Sequence, residues 1–117
     1  MDLAGFSATY QKMLLDTGQA SCRELLDACR NRAALTEPVV NAIPTTDWEN
    51  AEALADRLDD DPTFLSGAPL RGLVTAHKDL MDTAGMRTTY GSPVFADHVP
   101  SVDAPLIAHL RQCGLIS

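Results

Sequence analysis

The sequence predicts an α/β fold, with three or four helices packed around one to three short strands. Three observations lead there. Apolar residues recur at helical spacing through most of residues 1–61. A short apolar run, Leu73-Val74-Thr75-Ala76, has the length of a buried strand and leads straight into His77-Lys78-Asp79. A last helical pattern stops at Gly114, and Leu115-Ile116 behind it reads as the start of another strand.

Taken in order, Phe6, Tyr10, Met13 and Leu14 share one helix face, predicting a short helix from about Ser7 to Thr17 that Gly18 stops. Ser21 with Glu24 three residues later has the form of a capping box, and Cys22, Leu25, Leu26, Cys29 and Ala33 line the face of the helix it opens. That helix is expected to reach about Leu35 and to end at Glu37-Pro38, because proline restricts the residue before it and lacks the amide donor. Asn41-Ala42-Ile43 is at best an edge segment, since Pro44 follows. Thr46 and Glu49 suggest a second capping box, opening a helix with Trp48, Ala51, Leu54, Ala55 and Leu58 on its buried stripe. Asp59-Asp60-Asp61-Pro62 closes it, and three acids at the negative end of a helix dipole should fray the last turn. Residues 64–71 carry turn signals, and residues 83–93 are too rich in Gly, Thr and Ser for a helix, so they form a shaped loop. Ser101 or Asp103 can cap a final helix that has Pro105 in its first turn and carries Leu106, Ile107, Leu110 and Cys113.

Length and composition bound the function. A chain of 117 residues with 45% apolar content suits one soluble domain spanning 1–117. The net charge of −7 repels phosphate backbones, so nucleic acid is not an expected partner. Residues 1–61 hold twelve acids and five bases, whereas the Lys-bearing residues 62–117 hold four of each. The neutral half is therefore the better place for a small neutral molecule. No apolar run approaches the roughly 20 residues of a bilayer span, so no membrane association is expected. Met1-Asp2-Leu3 opens without a secretory signal, and Cys22, Cys29 and Cys113 read as free thiols; both features imply a cytoplasmic location.

Few residues have the context for chemistry. His77, His98 and His109 match no zinc spacing, three successive aspartates do not converge like alternating calcium ligands, and no P-loop, dinucleotide fingerprint or G-x-S-x-G elbow occurs. No metal or other cofactor is expected. Lys78 stands out as one of only two lysines, placed at the end of an apolar strand, although strand-end lysines also snorkel into water. Tyr90-Gly91-Ser92-Pro93 either positions a substrate or makes a tight turn.

The continuous string from Leu70 to Pro93, in which a glycine-led strand ends in Lys78-Asp79 and is followed by Thr88-Thr89-Tyr90-Gly91-Ser92, resembles the amidase signature family. Gly18 to Leu25, Asn41-Ala42 and Asp103 to Gly114 resemble the family's flanking elements, so the likeness covers nearly the whole chain. It implies a piece of an α/β/α layered mixed sheet and hydrolysis of amide C–N bonds by a Ser-cisSer-Lys triad. Lys78 would be the triad lysine, with Tyr90, Gly91 and Ser92 against a small-molecule amide. A lysine base must be neutral, whereas an ordinary lysine, with a pKa of ~10.4, is protonated at pH 7, so such a mechanism needs a closed, low-dielectric site. The family's two serines lie beyond the point that matches Ser117, which makes this chain an N-terminal portion expected to be inactive alone. The competing expectation is a binding or regulatory module derived from an amidase, self-associating or pairing with a separate C-terminal part. Val74-Thr75, where the family usually has proline and an aliphatic residue, and Pro44 depart from the pattern. Phe95 to Pro100 leans toward the general bacterial amidases over the amidotransferase subunits.

Overall fold

The computed structural model describes all 117 residues and is predominantly helical. Four helices are present, α1 (Ala8–Asp16), α2 (Cys22–Val40), α3 (Trp48–Asp60) and α4 (Pro105–Gln112), with short connections between the first three, a long loop before α4, and single 3₁₀ turns at Leu3–Gly5 and Pro93–Phe95. The predicted strands do not form as elements. They reduce to one parallel bridge between Val74 and Ile116, held by Thr75 N–H to the Ile116 carbonyl and Ile116 N–H to the Leu73 carbonyl, each 2.8 Å. Two segments with no further strand beside them cannot build a sheet ladder, so the expected α/β sheet is absent from this chain.

The core nevertheless obeys strand alternation. Leu73 and Leu115 pack with Leu3, Leu14, Ala20 and Leu25, while Ile116 packs with Cys22, Leu26, Ala51, Ala55 and Leu58. Successive residues of an extended segment face opposite ways, and adjacent Leu25 and Leu26 of α2 point one into each cluster. Helix α2 thus lies between two small cores.

Capping explains where the helices begin and end, and it corrects three expectations. The Ser21–Glu24 box is present, with Ser21 N–H donating to the Glu24 carboxylate at 2.8 Å and Glu24 N–H to Ser21 Oγ at 3.1 Å. Helix α2, however, runs through Pro38 to Val40. Proline near the end of a helix costs little of its ladder, and left-handed Asn41 (φ 49°) closes the turn while the Glu37 carboxylate accepts from Ile43 N–H at 2.8 Å. Helix α3 is capped by Asp47 instead of Thr46. Neither Ser101 nor Asp103 caps α4, whose N-cap is Ala104. Asp103 instead accepts from Ala84 N–H at 2.7 Å and pairs with Arg111 at 3.0 Å.

The acidic end of α3 is not frayed, because its charges and its carbonyls find partners. Asp59 accepts from the Cys22 and Arg23 amides at 2.8 and 3.0 Å, so it caps the N-terminus of α2 across 36 residues of chain. Arg71 donates to the Leu58, Asp61 and Phe64 carbonyls. Asp59→Ala is expected to cost about 1–2 kcal/mol, the usual worth of a lost N-cap, read as a lower midpoint in urea unfolding with an unchanged slope.

Cys22 is buried in the core that holds Ile116, and burial, reinforced by Asp59, pushes its thiol up to about 11 from an ordinary 9.0. A thiol raised in the folded state gives stability that is intact below pH 9 and lost as pH climbs toward 11. Wild-type chain should therefore lose stability more steeply than Cys22→Ala between those values, in unfolding curves taken across that range.

Candidate active site

One broad open cleft, about 750 Å³, lies over the second core. Its floor is the apolar face of α2 and α3, including Leu26, Cys29, Ala33, Trp48 and Ala51. Its other boundaries are residues 41–47, residues 74–81 and the loop around Thr89 to Gly91.

Lys78 sits at the rim, exposed, where the extended segment ends; Met81 N–H bonds back to its carbonyl at 3.1 Å and turns the chain. Neighbouring Asp79 is the chief organiser of the loop opposite. Its carboxylate accepts from Thr89 N–H at 2.9 Å and from the Thr89 hydroxyl, and its carbonyl accepts from Tyr90 N–H at 2.9 Å. These bonds hold Tyr90 (φ 52°) and Gly91 (φ 69°) in consecutive left-handed conformations, a geometry that a non-glycine residue keeps only when its surroundings enforce it.

The Tyr90 ring is fixed as well. Its hydroxyl donates to Asp82, its face stacks on His98 with centroids 5.7 Å apart, and Phe95 meets it edge-on at 5.0 Å. The hydrogen bond to Asp82, together with burial and the Asp82 and Asp79 charges, raises the phenol above its ordinary value and keeps it a donor. Arg87 spans the structure by donating to the Pro44 carbonyl at 2.9 Å and the Ala96 carbonyl at 3.1 Å, tying the 41–47 boundary to the loop.

Lys78, Tyr90 and Gly91 therefore border a single cleft. Ser92 does not join them; its hydroxyl accepts from Val94 N–H at 3.3 Å and caps the 3₁₀ turn. His77 also lines the cleft, with Nε2 buried and unpartnered, and burial plus the Arg111 charge hold it below its usual value. Asp79, Asp82 and Arg87 were not anticipated. Aspartate directly after the strand-end lysine and the Thr88-Thr89 pair were the only traces of this network in the sequence.

A sequence model of the family described as Amidase matches residues 24–117, most of the chain. The chain belongs to the amidase family. This amidase-family chain is 38% identical over 111 residues to the A subunit of a glutamyl-tRNA(Gln) amidotransferase from Azoarcus sp. (strain BH72), a match covering 95% of the chain and 23% of that relative. The protein of the same description from Roseiflexus sp. (strain RS-1) is 36% identical over 99 residues, covering 85% and 20%. A solved structure from a vestigial protein complex, described as revealing the evolutionary origins of an s-triazine catabolic enzyme, superposes with a TM-score of 0.86 at 26% identity, over 95% of the chain and 25% of its own. Its inhibitor-bound form gives 0.87. The amidase-family chain thus spans about a quarter of the length of the relatives it matches. These curated relatives are amidotransferase subunits, so the lean of residues 95–100 toward general amidases finds no counterpart among them. No helix of the amidase-family chain is long and apolar enough to cross a membrane.

Proposed function

We propose that this chain is the lysine-bearing N-terminal portion of an amidase-signature hydrolase, inactive alone, that acts on a small-molecule amide once the rest of the layered sheet is supplied. The observation carrying this reading is Lys78 itself, exposed on the rim of an open cleft in a chain that spans about a quarter of its relatives. In the assembled site neutral Lys78 takes a proton through the middle serine from the nucleophilic serine as it attacks the amide carbonyl. The proton returns to the departing amine, and water then releases the acid. Tyr90 and Gly91, held by Asp79 and Asp82, present the substrate-facing wall. Such a chain works in the cytoplasm, on amides and not on nucleic acid.

The test is reconstitution. The chain is co-expressed with the part of the Azoarcus sp. relative outside the matched region, and ammonia release is measured on a panel of primary amides. Hydrolysis is expected from the assembled pair and none from the chain alone. Hydrolysis by the isolated chain, lost in Lys78→Ala, would overturn the reading, as would a stable pair without activity.

A second reading, a binding module derived from an amidase, is favoured by the C-terminal turns of α2, where Leu35 and Val39 are 81% and 87% exposed. A folded monomer that binds no partner in sedimentation would remove it.

A further inference from the structure

The geometry points to the inner part of the cleft as a slot for an inserted β-strand, taken up by an extended segment of a second polypeptide that supplies the remainder of an amidase-family fold. This rests on the proposed function, since it names the partner that completes that site.

The first argument is the unpaired backbone. Leu73 and Thr75 direct their hydrogen-bonding groups at Ile116, so Val74 and Ala76 direct theirs to the opposite side. Val74, Ala76 and His77 make no backbone hydrogen bond within the chain, and neither Ala42 N–H nor the Ile43 carbonyl makes one. Both segments border the cleft, so two stretches of free donors and acceptors flank the same space. An open strand edge is a template for another strand.

The second argument is size. One strand residue, at a rise of ~3.3 Å, an interstrand spacing of ~4.8 Å and a layer spacing of ~10 Å, occupies about 160 Å³. Three such residues, the length of Val74–Ala76, take about 480 Å³ of the 750 Å³ cleft and leave the outer part beside Lys78 and Tyr90 open. The third is chemistry. The floor is apolar helix surface, as under a sheet, and the unpartnered Thr45 Oγ1 and His77 Nε2 lie buried at its borders. The relatives carry more than three-quarters of their length outside the matched region, which is the source of the strand.

Overlapping labelled peptides of about ten residues, covering the unmatched part of the Azoarcus sp. relative, are titrated by fluorescence polarisation. One contiguous stretch is expected to bind, slowing amide exchange at Val74 and Ala76 in hydrogen-exchange NMR. N-methylation of alternate backbone nitrogens in that peptide should weaken it at least about tenfold, because it removes the ladder while leaving side chains in place. Ala33→Trp, which fills the floor, should weaken binding similarly, and Val102→Ser, exposed and outside the cleft, should leave it unchanged. The proposal falls if no peptide binds, if N-methylated peptides bind equally, if acetamide or benzamide alone protects those amides, or if their protection rises with chain concentration and marks a second copy as the occupant. Lys78-dependent hydrolysis by the co-expressed pair, with no peptide bound by the chain, would remove the slot and keep the hydrolase; peptide binding with no hydrolysis by the pair would do the reverse.

Discussion

Lys78→Ala should lower amide hydrolysis by the reconstituted pair by about three orders of magnitude, within the 10²–10⁴ range of a general base, with the loss in kcat. Lys78→Arg should do nearly as badly, because a guanidinium keeps its proton at any accessible pH and cannot relay one. The outcome separates a catalytic lysine from one that only snorkels, since a surface cation would be replaced by arginine without penalty. Folding should not confuse the result. The side chain is exposed, so Lys78→Ala should change chain stability by no more than about 0.5 kcal/mol in urea unfolding. Retention of more than a tenth of the activity by either variant would refute the assignment.

Gly114→Ala should be the most damaging single substitution for folding. Gly114 adopts φ +90°, and a Cβ built there would lie 2.6 Å from Arg71 Cα and 3.0 Å from Arg71 N. The obstacle is backbone, not the flexible end of a side chain, so relief requires the 70–73 segment to move. That segment is bonded to the same turn through Leu70 N–H to the Cys113 carbonyl and Gly72 N–H to the Gly114 carbonyl, each 2.9 Å. Strain at positive φ together with the clash is expected to cost about 3 kcal/mol or more, a large share of the stability of a domain of this size. Circular dichroism should show a melting temperature lower by 10 °C or more, at about 4–8 °C per kcal/mol. An unchanged melting temperature would mean that the two segments are not in contact.

The positions readable from the sequence were those whose physical cause is local. The Ser21–Glu24 box acts over three residues, and the stop at Gly114 needs only a residue free of Cβ, so both appeared where expected. Lys78 was singled out as one of only two lysines at the end of an apolar run, and that segment does border the cleft. The end of α2 was misplaced because the rule against proline describes a helix interior, whereas Pro38 stands in the last turn, where Asn41 and Glu37 satisfy the backbone beyond it. The role of Asp59 was invisible, since its partners are 37 and 36 positions away and its neighbours suggested repulsion. The strand pattern was real in its alternation, and yet the sheet did not form, because pattern specifies which face is buried and not whether a neighbour exists. In the site, the Tyr90 wall was anticipated and the carboxylates that set it were not, because Asp79 and Asp82 act across a loop closure that spacing alone does not reveal.

The single bridge between Val74 and Ile116 also bears on the order in which the molecule is made. These residues are 42 positions apart, whereas α2 and α3 are joined by a short connection and dock on each other. Closing the longer loop costs entropy before any contact repays it, so the helical hairpin is expected to be the early nucleus and the lysine segment the last to be fixed. Weakening the bridge would then speed unfolding and leave the folding rate nearly unchanged. The segment that carries Lys78 is thus expected to be the one most readily released.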